Sequence, residues 1–260
     1  MINQLMPLLC KSNLSFYWLG FMLADAHFSK LNRIKITLSL KDLSHLEKIK
    51  QFLPGKISVQ TNRKYPTCSW CVMDSRSVKE LKERYSISER KTFVEPNLSS
   101  LNVEQMFCLI VGFIDGDGSI TNQHGRTDCF LRIKVHANWE KTLNLFADII
   151  ASIFSEFTRP KVLINSKGYC EFRISNNEVL RRMRKMALSL ELPVMERKWQ
   201  KIDLEASHKY GIAASKRDLV FKLRTNGLKL REIKELVSLS ESRICMILNK
   251  PIDKIKTGIL

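Results

Sequence analysis

Two stretches of the chain, residues 31–40 and 131–137, alternate between apolar and polar side chains. A period of two is typical of a β-strand that buries one face and exposes the other. The exposed faces carry Arg33, Lys35 and Thr37 in the first stretch and Arg132, Lys134 and His136 in the second. The pattern therefore predicts two strands with basic outer faces.

The same order of elements is predicted in each part of the chain: helix, two strands, helix, two strands, helix. Helical spacing of apolar residues and turn residues such as Pro54 and Gly55 set the boundaries. The first part is predicted to continue with a helix over 43–53, strands over 56–60 and 68–73, and a helix over 75–85. The second continues with a helix over 139–154, strands over 162–165 and 169–175, and a helix over 177–188. We therefore expect an α+β fold of two αββαββα halves.

Short segments that recur in the same order indicate that the halves are copies. Arg33-Ile34-Lys35 recurs as Arg132-Ile133-Lys134, and Glu89-Arg90-Lys91 recurs as Glu196-Arg197-Lys198. The spacing between matched residues grows slowly along the chain, as small insertions such as residues 121–128 would cause. This is an internal duplication, with residues 1–95 as the first half and 96–200 as the second.

Each half contains an apolar helix that ends in an aspartate, Asp25 in the first half and Asp117 in the second. Small residues four apart leave one face of each helix without large side chains: Gly20 and Ala24 in one helix, Gly112 and Gly116 in the other. Two such faces can pack backbone against backbone. That packing would bring the two aspartates together at the negative ends of both helix dipoles.

Two carboxylates held close together repel each other, and a hard divalent cation removes the repulsion. Mg2+ suits such a pair, because it binds through one or two carboxylates and completes its coordination with water and substrate phosphate. Asp25 and Asp117 are therefore predicted to be metal ligands and catalytic residues. The alternative is a pair of core helices that end in acids by chance, and the duplication disfavours it.

The composition indicates a polyanionic partner. The 260 residues contain 43 lysines and arginines against 26 aspartates and glutamates, a formal net charge of +17. Many of the cations lie on outer strand faces or in the hairpin 62–65, where a DNA duplex could be gripped and its bases reached. The predicted DNA-contacting residues of the two halves are Arg33, Lys35, Thr37, Gln60, Arg63, Lys64, Arg132, Lys134, His136 and Arg173. A generally basic protein without such a partner is the alternative.

The segment from Gly112 to Ile120, GFIDGDGSI, closely resembles the signature of the LAGLIDADG homing endonucleases. The segment from Gly20 to Phe28, GFMLADAHF, resembles it with departures. Together with the order of elements, the resemblance covers residues 14–200. It implies a single-chain enzyme with pseudo-twofold symmetry and saddle-shaped antiparallel sheets, which hydrolyses one phosphodiester on each strand of a long DNA site.

The resemblance also implies roles for individual residues. The two aspartates would hold two or three Mg2+ ions, joined by the main-chain carbonyls of Ala24 and Gly116, and Ca2+ would support binding without cleavage. In single-chain members a lysine lies beside each metal site, which would make Lys91 and Lys198 catalytic.

The first copy of the signature departs from the pattern at two positions that concern the site. Leu23 stands where the second copy has Asp115, and Ala26 stands where it has Gly118. A helix commonly ends in a left-handed glycine, so alanine at this place is expected to add about 1 kcal/mol of strain. We therefore expect the two DNA strands to be cut unequally.

The segment 216–260 lies beyond the duplication and follows a predicted linker, 201–215. Its pattern predicts a helix to about Asn226 that stops at Gly227, a second helix over 230–236 and a third over 240–248. The sequence of the last two resembles a helix-turn-helix, although Lys234 and Ser238 depart from that pattern. The resemblance would place Ser240, Ser242 and Arg243 against DNA. A plain helical tail is the alternative.

We interpret the chain as a monomeric homing endonuclease that cuts double-stranded DNA in intron or intein homing, with an appended helix-turn-helix. Two non-cutting alternatives stay open: a group I intron maturase that binds structured RNA, and a transcription regulator built from similar parts. Retention of both aspartates argues against the regulator.

The expected location is intracellular, because the 7 cysteines are odd in number and scattered and no apolar run is long enough to span a membrane. An organelle, a bacterial cytoplasm and a phage-infected cell all stay open.

Overall fold

The structure is a computed structural model that describes residues 6–62, 64–122, 129–202, 219–237 and 239–248, without the side chains of Met6, Asn122, Arg243 and Met246. The chain divides into two compact units, residues 1–203 and 204–260. In the described residues, no helix is long and apolar enough to cross a membrane.

Within the described ranges, the first half of the larger unit contains four α-helices and one antiparallel sheet. The helices are α1 (Met6–Leu9), α2 (Asn13–Asp25), α3 (Leu43–Phe52) and α4 (Ser75–Arg84). The strands are β1 (Ala26–Phe28), β2 (Arg33–Ser39), β3 (Lys56–Gln60) and β4 (Thr67–Met73), paired in the order β1-β2-β4-β3. The alternation predicted for residues 31–40 is confirmed, because β2 buries every second residue.

The second half repeats this arrangement. Its helices are α5 (Val103–Asp117), α6 (Glu140–Ile153), α7 (Asn177–Ser189) and the short α8 (Glu196–Trp199). Its strands are β5 (Gly118–Asn122), β6 (Cys129–His136), β7 (Lys161–Ile164) and β8 (Tyr169–Ile174), paired in the order β5-β6-β8-β7. The two sheets thus have the same topology, and the predicted α+β class is confirmed.

Helices α2 and α5 form the centre of this unit and pack backbone against backbone, as predicted from their small residues. A Cβ atom added to Gly20 would lie 1.9 Å from the carbonyl oxygen of Leu109, and one added to Gly112 would lie 1.9 Å from that of Tyr17. Ten consecutive residues of each helix are buried, and one continuous apolar core surrounds them. The two halves therefore share a core.

Each central helix ends directly at its aspartate and continues as a strand. Ala26 follows Asp25 with φ −80° and ψ 144°, and Gly118 follows Asp117 with φ −77° and ψ 150°. The expectation of a strained, left-handed alanine at position 26 is therefore wrong. The chain leaves the helix in extended conformation because it enters β1 or β5 at once, and an alanine adopts that conformation without strain.

The smaller unit consists of a helix over residues 219–225, here α9, followed by α10 (Leu230–Val237) and α11 (Glu241–Leu248). Gly227 ends α9 with φ 86°, the left-handed conformation that its predicted stop requires. Val220, Ile233, Val237 and Ile244 are buried together and form a small core of their own. Only residues 201 and 202 of the predicted linker lie within the described residues.

Candidate functional site

Asp25 and Asp117 lie together at the ends of α2 and α5. A Cβ atom added to Gly116, the residue before Asp117, would lie 2.3 Å from the Cβ atom of Ala24 and 3.5 Å from Cγ of Asp25. The absence of a side chain at Gly116 therefore allows the Asp25 carboxyl group to approach the end of the opposite helix. The proximity of the two carboxylates results from the close packing of the two helix ends.

The surroundings of both aspartates favour their neutral forms. Desolvation by burial and the charge of Asp117 raise the pKa of Asp25 to about 6. Desolvation also raises the pKa of Asp117, although this residue is the more exposed of the two. Both acids also lie at the negative ends of helix dipoles. A cation bound between them would remove this destabilisation of the charged forms.

Lys91 and Lys198 lie at the same helix ends and donate hydrogen bonds to main-chain carbonyls of the last turns. Nζ of Lys91 contacts the carbonyl oxygens of Leu23, at 2.7 Å, and of Ala24. Nζ of Lys198 contacts those of Ile114 at 3.1 Å, Asp115 at 2.6 Å and Gly116 at 2.8 Å. Each ammonium group thus caps the helix that carries the aspartate of its own half.

Burial lowers the pKa of both lysines, and the charges of Asp25 and Asp117 act in the opposite direction on each of them. This reciprocal effect places both ammonium groups within electrostatic reach of both carboxylates. The site therefore combines two carboxyl groups and two ammonium groups around the paired helix ends.

Each lysine-bearing segment is held by the opposite half. The Lys91 segment accepts a bond from Nε1 of Trp139 to the carbonyl of Lys91, at 2.8 Å, and one from Nδ2 of Asn138 to that of Phe93, at 2.7 Å. The Lys198 segment is fixed by Arg197, whose guanidinium forms a bidentate ion pair with the buried Asp42. The two halves are therefore interlocked at the site.

Asp115 anchors the Lys198 segment a second time. It is fully buried and accepts hydrogen bonds from the Tyr17 hydroxyl at 2.6 Å, Nε1 of Trp199 at 2.7 Å and the main-chain N–H of Met195 at 2.9 Å. Tyr17 belongs to α2, so this carboxylate connects both central helices with the segment that carries Lys198. The first half has Leu23 at the matching place, buried and apolar.

The residues at the helix ends suit a hard divalent cation such as Mg2+. Carboxylate and carbonyl oxygens are its preferred protein ligands, and one or two carboxylates suffice when substrate phosphate and water complete the shell. In the described part of the chain, no group of three or more histidine, cysteine, aspartate or glutamate residues could hold a metal. The carbonyls of Ala24 and Gly116 accept lysine hydrogen bonds here, and a carbonyl oxygen has a second lone pair for a metal.

A row of exposed-face residues crosses each sheet, starting two residues beyond each aspartate. In the first sheet the row is His27, Lys35, Cys71 and Lys56. In the second sheet it is Ser119, Arg132, Arg173 and Lys161. The sheet faces that could contact a duplex are thereby connected directly to the acids.

The structure places most of the other predicted DNA contacts on the same two faces. Arg33 and Thr37 are exposed on β2, Lys134 is exposed on β6, and Gln60 and Lys64 are exposed at the end of β3 and beyond it. His136 is half-buried and makes an edge-to-face contact with Phe93, with the ring centroids 4.9 Å apart. Arg63 lies outside the described residues.

The DNA contacts predicted for residues 240–243 belong to the smaller unit, whereas the aspartates and lysines belong to the larger one. Ser240 and Ser242 are exposed at the start of α11, in the smaller unit, and the side chain of Arg243 is outside the described part of the chain.

A comparison with solved structures finds proteins of the same fold. The chain is similar to the I-LtrWI LAGLIDADG homing endonuclease bound to target DNA, with 14% identity over 92% of this chain and 97% of that chain and a TM-score of 0.50. It also aligns with I-SmaMI bound to an uncleaved DNA target in the presence of calcium ions (13% identity, 91% and 99% covered, TM-score 0.46). A third match is full-length DUF199/WhiA from Thermatoga maritima (17% identity, 92% and 89% covered, TM-score 0.47). No protein-family model and no curated protein matches the sequence.

Sequence reasoning missed the residues that hold the lysines in place. An aspartate inside an otherwise apolar helix is itself a signal, because a buried carboxylate needs several donors. Its partners Tyr17 and Trp199 could not be identified, since they lie 98 and 84 residues away along the chain. The same holds for the pair of Asp42 and Arg197, 155 residues apart.

Proposed function

We propose that the protein is a divalent-metal-dependent DNA endonuclease of the LAGLIDADG type, which cuts both strands of a specific duplex. The observation that carries the proposal is the meeting of Asp25 and Asp117 at the ends of two interlocked helices, each with a lysine beside it. The fold shared with I-LtrWI, a homing endonuclease whose structure holds target DNA, supports it.

Asp25 and Asp117 would hold Mg2+, which would supply Lewis-acid activation of a phosphodiester and of an attacking water. The rows of residues that begin at His27 and Ser119 would grip the duplex, so that one phosphate of each strand lies over the helix ends. Lys91 and Lys198 would neutralise charge that develops on the phosphate during transfer. The interlocked segments keep both ammonium groups in place, which preorganises the site before DNA binds.

The smaller unit is proposed to add a second DNA contact as a helix-turn-helix. It has the three-helix order, a left-handed glycine between α9 and α10, and exposed serines at the start of α11. Arg224, Lys229 and Arg231 add positive charge. This unit would extend the recognised sequence without taking part in cleavage.

The test begins with selection of duplexes from a randomised pool in Ca2+, followed by incubation of the enriched duplex in Mg2+. We expect sequence-specific binding in Ca2+ and double-strand cleavage in Mg2+, with both cuts abolished by chelation. Asp25→Asn is the matched control, expected to make no double-strand break, because it replaces a carboxylate oxygen with an amide nitrogen at almost the same side-chain volume. Cleavage that survives full chelation would refute the metal mechanism.

Binding without cleavage in Mg2+ would instead favour a regulator or a maturase. Those two are separated by competition between the selected duplex and a structured intron RNA. Tighter binding of the RNA would indicate the maturase.

A further inference from the structure

Glu171 is an acid in the middle of a basic surface. In the strand residues that the structure describes, it is the one carboxylate on the exposed face of the second sheet. Strand β8 lies between β6 and β7, and Glu171 pairs with Lys134 on one side and Leu163 on the other. A position at the centre of the sheet distinguishes it from an acid at a solvated edge.

Glu171 holds two arginines of the neighbouring row. Nε of Arg173 donates to Oε1 of Glu171 at 2.5 Å, and Nε of Arg132 lies 3.8 Å from the same oxygen. The Glu171 side chain is 12% exposed, whereas Arg173 and Arg132 are 43% and 50% exposed. The ion pair uses Nε of Arg173, so the two terminal nitrogens of this 43% exposed side chain stay outside this contact.

The charge of this cluster does not suit a surface that only grips phosphates. The hydrogen bond from Arg173 holds the pKa of Glu171 below its usual range, so the carboxylate is ionised at neutral pH. An ionised acid repels the DNA backbone and weakens non-specific binding. It does stabilise two arginines that lie directly opposite each other on neighbouring strands, a pairing that is otherwise unfavourable.

A fixed arginine has a specific use in the major groove. The guanidinium fork donates two parallel hydrogen bonds to O6 and N7 of guanine, and this is the commonest specific contact between a protein and a base. A partner that fixes the fork in advance reduces the entropy lost on binding.

We propose that Arg173, positioned by Glu171, reads a guanine in the half-site that contacts the second sheet. The inference rests on the proposed DNA-binding function and adds a specificity-determining pair to it. Arg132 occupies the adjacent place in the same row, closer to Asp117, and shares the carboxylate.

The first sheet lacks this pair, which makes it an internal control. Lys35 pairs with His27 as Arg132 pairs with Ser119, each opposite the residue two positions beyond its aspartate. The partners of Lys35 and Thr37 on β4 are Cys71 and Ser69. Cys71 thus stands where the second sheet has Arg173, and Ser69 where it has Glu171. The two halves are therefore expected to read different bases, so the target is asymmetric.

The experiment measures binding in Ca2+ to the duplex enriched from a randomised pool and to copies altered at each enriched guanine. Replacing the contacted guanine by adenine, or by 7-deazaguanine, which lacks the N7 acceptor, is expected to weaken wild-type binding roughly tenfold or more. Glu171→Gln and Arg173→Lys should lose most of that discrimination. Glu171→Gln should also bind an unrelated duplex more tightly, since it removes a negative charge.

Two further variants test the position of the pair. Ser152→Ala, an exposed position on α6 outside both sheets, is the control and is expected to leave base preference unchanged. Ser69→Glu combined with Cys71→Arg is expected to create a guanine preference in the opposite half-site. Circular dichroism checks that each variant is folded, and Arg173→Lys keeps the charge in case Glu171→Gln does not fold.

Wild-type discrimination in both Glu171→Gln and Arg173→Lys would overturn the inference. A wild-type protein that enriches no sequence would overturn it together with specific recognition of DNA. A protein that enriches a sequence, loses discrimination in the two variants and does not cut in Mg2+ would refute the nuclease and support the inference.

Discussion

The two halves place their lysines alike but hold them differently. Lys91 and Lys198 both cap the helix that carries the aspartate of their own half. The Lys198 segment is tied to Asp115, a buried carboxylate with three donors, whereas Leu23 at the matching place offers no acceptor to the Lys91 segment. That segment depends on contacts from the opposite half, chiefly those of Trp139 and Asn138.

This difference shows that the two halves share their backbone arrangement more closely than their side-chain chemistry. The helix ends and the sheet topology are the same in both halves, because the contact between α2 and α5 and the strand order leave few alternatives. The polar contacts around them have diverged. The two halves are thus expected to be equivalent in stability at the helix contact and unequal at the lysines.

The largest expected effect concerns the contact that both halves share. Gly20→Val and Gly112→Val each place atoms on a main-chain carbonyl of the opposite helix, so each is expected to destabilise the fold by about 3 kcal/mol or more. Chemical denaturation of the two variants should give similar losses. Gly168→Ala is the control, since its Cβ meets nothing within 4 Å and only its left-handed backbone, φ 77°, is strained. A loss in only one of the helix variants would contradict the symmetric contact.

The second-largest expected effect concerns Asp115, which anchors the Lys198 segment and is matched by Leu23 in the first half. Asp115→Leu makes the second half resemble the first and leaves the Trp199 Nε1–H and the Met195 N–H without their acceptor, so a loss of about 2 to 3 kcal/mol is expected. Leu23→Met, a swap of similar volume in the first half, should cost less than about 1.5 kcal/mol. Denaturation midpoints measure both. Equal stability of Asp115→Leu and the wild type would show that the carboxylate is not an anchor.

The paired acids predict an unusual dependence of stability on pH. The pKa of Asp25 is raised to about 6 in the folded protein. The protonated carboxyl group therefore contributes to the free energy of unfolding. This contribution is fully present below the ordinary pKa near 4 and is lost as pH rises through about 6. We expect the free energy of unfolding without metal to fall between pH 4 and 6, relative to Asp25→Asn, by up to about 2 kcal/mol. Added Mg2+ should reverse the loss. Parallel curves for the two proteins would contradict the raised pKa.

The smallest effect compares two tryptophans beside the lysine segments. Trp139→Phe and Trp199→Phe each remove one N–H donor, to the Lys91 carbonyl and to Asp115 respectively, and each should lower stability by about 1 kcal/mol. Trp139→Phe should slow one strand cut more than the other, because Lys91 alone loses support. Equal slowing of both cuts by Trp139→Phe would show that the lysine segments are not independent.

The helices and most strands could be predicted from the sequence because their apolar patterns are long and regular. Strand β1 could not be located, since three residues are too few to show alternation. The helix ends were predicted in position but not in conformation, because extended pairing in β1 and β5 replaced the common left-handed ending.

The aspartates and lysines of the site stood out because they recur in both halves. Asp42, Tyr17, Trp139 and Trp199 do not recur in this way, and their roles depend on contacts between distant parts of the chain. The role of Glu171 could not be predicted from the sequence, because it depends on contact with Arg173 on the same face of β8 and with Arg132 on the neighbouring strand.

Strand-specific cleavage tests the central claim most directly. One end-labelled duplex, enriched by the wild-type protein, is incubated in Mg2+ with the wild type, Asp25→Asn or Asp117→Asn, after binding in Ca2+ has been shown to be equal. The account predicts that neither variant makes a double-strand break, since each lacks one carboxylate ligand of the metal. Loss of both cuts in each variant would indicate a shared ion, and loss of one strand each would indicate independent ions. Wild-type rates on both strands in either variant would contradict the assignment of that aspartate and, with it, the site.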